Sequence, residues 1–311
     1  MSASPIFLGA RRGTVGSLGE AALIGRIRAW LGTASPESPS GIGDDCAVVR
    51  PARGRELLTI DPVIYGVHFD GKVSPGDAGA KLVKRNLSDI AAMGGRPRAM
   101  VVALALDDRV SLRWLAAFYR GMARQARRYR VPIVGGDVAR LRGAFAATVA
   151  LTGESTGRVL TRAGSRRGDW IYVTGMLGRS LPTGHHHRFT PRLSEGAWLA
   201  RQAGVRAMMD VSDGLAKDLG ALTPKGCAAA LFEKMLPVRA GATTRQALSD
   251  GEDYELVVGV AGGRRRQSLE RAWRKAFPRT RLTCIGRFVR AGDAPPGSIN
   301  PEDYRGYEHL R

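Results

Sequence analysis

The 311-residue sequence has little cysteine and no long apolar run. Its three cysteines, Cys46, Cys227 and Cys284, are odd in number and far apart, which argues against a disulfide framework and favours a reducing compartment. No charged-then-apolar leader opens the sequence, and no run of about 18 apolar residues is present to span a bilayer. We therefore expect a soluble, cytoplasmic protein without a membrane partner.

Familiar phosphate-binding and metal-binding motifs are also absent. The sequence has no GxxxxGK[ST] loop, no glycine-rich kinase loop with His-Arg-Asp, and no histidine–cysteine pattern with metal-site spacing. His185, His186 and His187 are consecutive, so they cannot all face one ion on a regular element. An exposed loop is therefore favoured there over a metal site.

The charge is strongly of one sign. Lysine and arginine number 48 against 28 acidic residues, a formal net charge of +20, and only seven of the basic residues are lysine. Such a balance attracts phosphates, nucleic acids or anionic membranes. The arginines are scattered over many segments, however, and no basic arm interleaved with aromatic residues stands out. An arginine-rich surface without specific use is favoured, phosphate-bearing small substrates come next, and a nucleic-acid partner is not expected.

A predicted amphipathic helix at residues 81–95 carries the first candidate site residues. Its sequence is KLVKRNLSDIAAMGG, in which apolar residues recur at helical spacing and the two glycines can end the helix. Asn86 and Asp89 lie three apart, so both can project from one face. An amide and a carboxylate are costly to bury there unless they bind something. A capped or solvated polar face is the alternative.

Short aspartate motifs recur along the chain, next to glycines or at the ends of predicted strands. The motifs are GIGDDCAVV at 41–49, a strand from Glu56 ending at Asp61, VGGD at 134–137, MDVSDGL at 209–215 and LSDGEDYEL at 248–256. In the first of these, the residues after the two aspartates are predicted to lead into an apolar strand. Together with the helix, the first four of these motifs supply seven aspartates: Asp44, Asp45, Asp61, Asp89, Asp137, Asp210 and Asp213. Oxygen ligands select Mg²⁺ or Ca²⁺ over zinc, and Mg²⁺ is usually held by a few carboxylates plus substrate phosphates. The residues alone therefore predict a magnesium-dependent, phosphate-handling enzyme, with solvated turns as the alternative.

Taken in order, these motifs resemble those of the thiamine-monophosphate kinase family. The resemblance rests on GIGDDCAVV, TID followed by GVHF, NLSDIAAMGGRP, VGGD, LTRAG with GDWIYVTG, MDVSDGL and LSDGEDYEL. It runs from about Gly19 to His309, and NLSDIAAMG together with GEDYEL is its most specific part. The family belongs to a superfamily with aminoimidazole-ribonucleotide synthetase, selenophosphate synthetase and the hydrogenase maturation dehydratase.

The resemblance implies a two-domain α/β (α+β) fold of the aminoimidazole-ribonucleotide synthetase type. A flexible arm at 1–18 would precede an N-terminal domain at 19–152 that binds metal and ATP. The strands of that domain would pair with a second subunit in the barrel-like core of a homodimer. A C-terminal α/β domain would comprise 153–311, with ATP held in the cleft between the domains.

The resemblance also implies roles for particular residues. Mg²⁺ would be bound by Asp45, Thr59, Asp61, Asp89, Asp137, Asp210 and Asp213, of which Asp89 and Asp213 are the candidate catalytic residues. ATP would contact Gly136, Asp137, Arg162 and Ser212, and thiamine monophosphate would contact His68, Glu252 and Tyr304. The acceptor phosphate is largely dianionic and is itself a nucleophile, so the implied reaction is direct, magnesium-assisted, in-line transfer that makes thiamine diphosphate.

The sequence departs from the family pattern in several places. The changed positions are Ile60, Val138, Ala139, Arg179, Asp250 and Tyr304, and the segment 179–196 is shorter than usual. All the main acids are retained, so metal and ATP binding are expected, whereas the changes at 179–196 and at Tyr304 put the identity of the acceptor in question. Two alternatives follow: a divergent relative that uses Mg-ATP on another acceptor, and a weakened ATP-binding protein with a regulatory role.

Overall fold

A four-stranded and a five-stranded sheet organise the chain, which the computed structural model describes over residues 5–308. The helices are α1 (Glu20–Leu31), α2 (Pro75–Ala92), α3 (Leu112–Tyr129), α4 (His185–Arg188), α5 (Leu193–Leu199), α6 (Leu215–Leu222), α7 (Thr244–Ser249) and α8 (Arg264–Ala276). The strands are β1 (Glu56–Ile64), β2 (Gly95–Leu106), β3 (Ile133–Arg140), β4 (Phe145–Ser155), β5 (Trp170–Thr174), β6 (Val205–Asp210), β7 (Cys227–Leu231), β8 (Leu256–Val260) and β9 (Leu282–Arg290). The predicted mixed α/β class is confirmed.

The chain divides into two units. The first contains the described residues up to Leu87 together with Pro97–Glu154, and the second contains Ser88–Arg96 together with the described residues from Ser155 onward. The last turn of α2 thus belongs to the second unit. Within residues 5–308, no helix is both long enough and apolar enough to cross a membrane. The three cysteines are all free thiols.

The first unit is built on a sheet with strand order β1-β4-β2-β3. Strands β2 and β3 are parallel and are connected through α3, whereas β1 and β4 are antiparallel. Helix α3 begins where the sequence predicts, because the side chain of Ser111 accepts a hydrogen bond from the Trp114 amide at 3.3 Å. Helix α1 buries Leu23, Ile27 and Leu31, as its apolar spacing predicts.

Strand β1 is longer than the sequence predicts. It continues past Asp61 to Ile64, and Asp61 pairs with Val149 instead of ending the strand. Pro62 lies inside it, which is tolerated because β1 is an edge strand with no partner required on its outer side. Asp61 therefore lies within the strand.

Two segments of the first unit differ from expectation. Residues 46–49, predicted to lead into an apolar strand, belong to neither sheet, and Val48 and Val49 are more than half exposed. The described part of the predicted N-terminal arm is hydrogen-bonded: the amides of Leu8 and Val15 donate to the carbonyls of Arg109 and Val110 at 3.0 and 2.8 Å. Residues 1–4 of that arm lie outside the described residues, and the predicted domain boundaries stay a prediction.

The second unit has a sheet with strand order β6-β8-β5-β9-β7, in which all neighbouring strands are antiparallel. Alternate residues of β5 point into two different apolar clusters: Ile171 and Val173 into one, and Tyr172 into the other. The same alternation holds in β6 and β8. Both faces of this sheet are therefore covered by apolar side chains.

Candidate functional site

The first unit brings the GIGDDC loop next to the VGGD strand. Asp44, Gly136 and Asp137 line one cavity of about 290 Å³, and Asp44, Asp45 and Gly136 line another of about 420 Å³. Gly136 is required by the sheet itself, because a Cβ there would lie 2.2 Å from the carbonyl oxygen of Val102. The close approach of β2 and β3 thus supplies a structural reason for this glycine beside its predicted contact with ATP.

Side chains of helix α2 contact the segment of β1 that contains Thr59 and Asp61. The Nη2 atom of Arg85 lies 3.4 Å from Oδ1 of Asp61. The side-chain amide of Asn86 donates from Nδ2 to the backbone carbonyls of Asp61 and Leu82, at 3.4 and 3.0 Å. Asn86 is fully buried. Asn86 of the predicted polar face is therefore an internal residue that contacts β1.

His68 is placed by the turn that follows β1. It is buried, and its Nδ1 accepts a hydrogen bond from the Ile64 amide at 3.1 Å, which puts the ring proton on Nε2. The buried Lys81 donates from Nζ to the His68 carbonyl at 2.6 Å. The described contacts of His68 are structural, and its predicted contact with the acceptor stays a prediction.

In the second unit, the MDVSDGL segment surrounds the buried carboxylate of Asp218, which is not among the predicted site residues. The amides of Ser212 and Asp213 both donate to Oδ2 of Asp218, at 2.9 and 3.0 Å. Burial raises the pKa of Asp218 to about 7 against the effect of these two donors, and the negative charges of Asp210 and Asp213 raise it further. Its position in the first turn of α6, five residues after Asp213, is the signal that could have identified it.

Asp210 and Asp213 have different surroundings in this segment. Asp210 is buried and accepts a hydrogen bond from the hydroxyl of Ser88 at 2.7 Å, which brings the C-terminal turn of α2, and with it Asp89, to the end of β6. Asp213 is partly exposed, and its Oδ2 lies 2.7 Å from Nζ of Lys217. The two aspartates therefore present acidic oxygens at a strand end and at a helix N-terminus.

The GEDYEL segment pairs with MDVSDGL through the main chain. The Glu252 amide donates to the Ser212 carbonyl at 2.7 Å, the Tyr254 amide to the Val211 carbonyl at 2.8 Å, and the Val211 amide to the Glu255 carbonyl at 2.8 Å. This pairing holds Glu252 beside Ser212 and Asp213. It is the arrangement in which most of the predicted second-unit site residues come together.

Two acids of GEDYEL are structural. Asp253 is fully buried, and burial raises its pKa to about 6, although the Gly178 amide, the Ser180 hydroxyl and the Arg239 guanidinium all donate to it. Glu255 is also buried, and Arg192 donates two hydrogen bonds to its carboxylate at 2.6 and 2.7 Å.

Two of the departures from the family pattern, Arg179 and Asp250, belong to the same framework, because the Arg179 amide donates to the Asp250 carboxylate at 2.7 Å. Glu252 is the acid of this motif that stays partly exposed.

The remaining predicted residues of the second unit lie on its surface. Tyr304 packs against the apolar cluster that contains Ile171 and Val173. The Arg245 guanidinium lies 5.7 Å from the centre of the Tyr304 ring. The chain then reaches Asp213, whose carbonyl accepts from the Tyr307 amide at 2.8 Å. Arg162 is exposed on the short 3₁₀ turn Arg162–Gly164.

The predicted magnesium ligands are divided between the units. Asp45, Thr59, Asp61 and Asp137 belong to the first, and Asp89, Asp210 and Asp213 belong to the second. Across residues 5–308, no three or more His, Cys, Asp and Glu side chains come together so as to hold a metal ion. The seven-residue ligand set therefore stays a prediction.

The sequence matches known proteins over most of its length. The family model "AIR synthase related protein, N-terminal domain" matches residues 43–159. The thiamine-monophosphate kinase of Salmonella typhimurium is 33% identical over 94% of this chain and 98% of its own. The chain belongs to the thiamine-monophosphate kinase family.

Solved structures of the thiamine-monophosphate kinase family share the fold. The crystal structure of the enzyme from Stenotrophomonas maltophilia K279a superposes with a TM-score of 0.72 at 32% identity, covering 88% of this chain and 95% of that one. The structure of AaThiL complexed with AMPPCP and TMP superposes with a TM-score of 0.69 at 27% identity, covering 94% of this chain and 98% of that one. The predicted fold type is confirmed by these similarities.

Proposed function

We propose that this chain transfers the γ-phosphoryl group of ATP to the phosphate of thiamine monophosphate, forming thiamine diphosphate and ADP. The bond between the γ-phosphorus and the bridging oxygen of ATP breaks, and an oxygen of the acceptor phosphate forms the new bond. The observation that carries the proposal is the pairing of MDVSDGL with GEDYEL, which sets Asp210, Ser212, Asp213 and Glu252 on adjoining segments. A relative of the same family has been captured with an ATP analogue and TMP.

The chemistry requires little of a general base. The acceptor phosphate has a second pKa of about 6 and carries its own nucleophilic oxygen at neutral pH. The main obstacle is repulsion between two anions. The residues assigned to ATP are Gly136, Asp137, Arg162 and Ser212, and those assigned to the acceptor are His68, Glu252 and Tyr304.

The donor set fits Mg²⁺. Every candidate ligand offers oxygen, the atom that Mg²⁺ prefers, and the crowding of acids around Asp218 is an excess of negative charge that a cation would offset. The residues proposed to hold Mg²⁺ are Asp45, Thr59, Asp61 and Asp137 in the first unit and Asp89, Asp210 and Asp213 in the second. Held by these residues, Mg²⁺ would neutralise negative charge on the reacting phosphates.

We further propose that the chain forms a homodimer through the sheet of the first unit. Leu58 and Ile60 on β1 are 75% and 66% exposed, and Val101 on β2 is 40% exposed. Leu58 and Ile60 lie two residues apart and therefore on one face of β1, and exposed apolar side chains that cluster on a sheet face mark a surface that a partner covers. Leu58 and Val101 also line the 420 Å³ cavity beside the GIGDDC loop.

Two further expectations accompany the enzyme assignment. A cytoplasmic location is supported by the three free thiols. A nucleic-acid partner is not proposed, because the basic residues that give the charge of +20 are scattered along the chain.

A product assay tests the function directly. Purified protein is incubated with Mg-ATP and thiamine monophosphate, and thiamine diphosphate is measured by fluorescence after oxidation. We expect product from the wild type and a loss of at least about 100-fold in kcat/KM for Asp213→Asn, since a proposed Mg²⁺ ligand loses its charge. Asp293→Asn, a matched change at an exposed turn, is expected to leave the rate within about twofold.

Three results would overturn or redirect the assignment. Mg-ATP binding by the wild type without any product excludes thiamine monophosphate as the acceptor. ATP hydrolysis that does not respond to thiamine monophosphate favours a divergent relative with another acceptor. Binding of Mg-ATP without any turnover favours the regulatory alternative.

A further inference from the structure

The three consecutive histidines do not form the exposed loop that the sequence predicts. They form the short helix α4, and His186 is only 6% exposed. The Nε2 atom of His185 lies 3.0 Å from the carbonyl oxygen of Asp253. This short helix is therefore packed against the GEDYEL segment, within the second unit.

A chain of contacts leads from Glu252 through two imidazoles. Nδ1 of His186 lies 3.5 Å from Oε2 of Glu252, and Nε2 of His186 lies 3.0 Å from Nδ1 of His187. Two imidazole nitrogens at hydrogen-bonding distance share one proton, so one ring donates and the other accepts. In the tautomer that donates from Nδ1 of His186 toward the Glu252 carboxylate, Nε2 of His186 accepts from Nδ1 of His187.

The backbone under this contact is held in an unusual conformation. Glu252 and Tyr254 have φ angles of 64° and 51°, in the left-handed region that side chains other than glycine seldom adopt. The Tyr254 ring stacks on Phe189, with centroids 4.0 Å apart and planes 19° apart, and its hydroxyl lies 3.4 Å from Oε1 of Glu252. Such strain persists where the surroundings enforce it, and it concentrates at ligand sites.

Glu252 is therefore fixed from two sides. The imidazole of His186 faces one carboxylate oxygen, and the hydroxyl of Tyr254 faces the other. Its main-chain amide is bound to Ser212. A charged group held in this way loses little conformational freedom when a ligand binds, which favours affinity for a ligand of opposite charge.

We propose that His186, supported by His187, is a positioning residue that fixes the Glu252 carboxylate to receive the positively charged ring of the acceptor. The inference rests on the proposed function, in which Glu252 faces thiamine monophosphate, whose thiazolium ring is a cation. His186 thereby sets selectivity for a cationic acceptor and takes no part in phosphoryl transfer itself.

Substitutions at His186 test this role. Asn keeps a donor near the position of Nδ1, whereas Leu removes it. We expect His186→Leu to raise KM for thiamine monophosphate about tenfold while kcat and KM for ATP change by less than about twofold, and His186→Asn to restore most of the affinity. Thr190→Ala, an exposed change on the same segment, serves as the control and is expected to match the wild type.

A selectivity measurement separates positioning from a general structural effect. Binding of thiamine monophosphate is compared by calorimetry with binding of an analogue in which an uncharged thiophene replaces the thiazolium. The wild type is expected to prefer the cationic ligand, and His186→Leu is expected to lose about tenfold of that preference. Calorimetry answers the question even without turnover.

The outcomes are distinct. Wild-type protein that binds thiamine monophosphate without making product removes the proposed function only, and the loss of preference in His186→Leu then still supports the inference. Unchanged KM and unchanged preference in His186→Leu overturn the inference while the proposed function stands. A parallel fall in thermal midpoint, kcat and both affinities, with no rescue by Asn, also overturns it, because His186 is then only structural.

Discussion

The two sheets of this protein differ in how they are covered. The five-stranded sheet of the second unit has apolar clusters on both faces, and every residue of β8 is buried. On the four-stranded sheet of the first unit, Leu58, Ile60 and Val101 are exposed apolar side chains. The sheet of the second unit is therefore covered on both faces, whereas the sheet of the first unit keeps these three apolar side chains exposed.

The acidic side chains of the candidate-site segments also differ in burial between the two units. Buried acids of the second unit, such as Asp253 and Glu255, are each met by several donors. In the first unit the acids of the candidate site, such as Asp45 and Asp137, lie on exposed segments. The first unit also buries charged side chains, among them Lys81 and Lys84, so the contrast concerns the acids of the candidate-site segments.

The largest expected effect concerns the framework of the second unit. Arg192→Met leaves the buried Glu255 carboxylate without its bidentate partner, and we expect a loss of about 3–5 kcal/mol in the free energy of unfolding. Urea unfolding followed by fluorescence measures it. Arg188→Met, at an exposed position on the same segment, is the control and should cost less than about 0.5 kcal/mol.

A double variant identifies the source of that loss. Replacing Glu255 by Met as well removes the stranded charge, so Arg192→Met/Glu255→Met should recover part of the stability. A single variant that unfolds at the urea concentration of the wild type would show that this pair does not hold the second unit together.

The next effect concerns the open face of the first unit. Ile60→Asp places a charge on the exposed sheet face, so we expect the association constant of the homodimer to fall at least about 100-fold while the monomer stays folded. Sedimentation velocity over a concentration series measures it. Leu181→Asp makes a similar change at a 63% exposed leucine of the second unit and should leave association unchanged. A wild type that is monomeric at all concentrations would contradict the dimer.

Local patterns were enough to predict much of the fold. Strand β8, the start of α3 at Ser111 and the apolar face of α1 follow from periodicity and capping, which depend on neighbours in sequence. The apolar residues Val48 and Val49 form no strand, because a strand requires a partner that a local pattern does not reveal. The length of β1 was also underestimated, because Pro62 is tolerated only at an edge.

The sequence motifs identified the acids of the candidate site, but they did not show which acids are structural and which are available to a ligand. The motifs identify Asp210, Asp213 and Glu252, but a carboxylate becomes framework or ligand according to which donors meet it. Arg192 lies 63 residues from Glu255 in sequence, and Ser180 lies 73 residues from Asp253. The buried position of His186 beside Glu252 likewise depends on a contact between distant segments.

The smallest expected effect concerns a buried cation of the first unit. Burial lowers the pKa of Lys84 to about 8. The negative charge of Asp77 opposes this shift, and the positive charges of Arg124 and Arg128 add to it. Between about pH 8 and 10.5 the unfolded chain therefore holds more protons at this site than the folded one, so this group makes the unfolding free energy rise with pH. Lys84→Met lacks the charge and should be about 2 kcal/mol more stable than the wild type near pH 7.

The pH dependence distinguishes burial of the charge from a packing effect of the substitution. The advantage of Lys84→Met should shrink toward about pH 10, because the wild-type lysine is by then largely neutral when folded. Urea midpoints at both pH values measure the difference, with Lys225→Met, exposed in the second unit, as the matched control. An advantage of equal size at both pH values would mean that methionine merely packs better. Burial of the Lys84 charge would then cost the first unit little, and the contrast between the two units would rest on the exposed apolar side chains of the first unit's sheet.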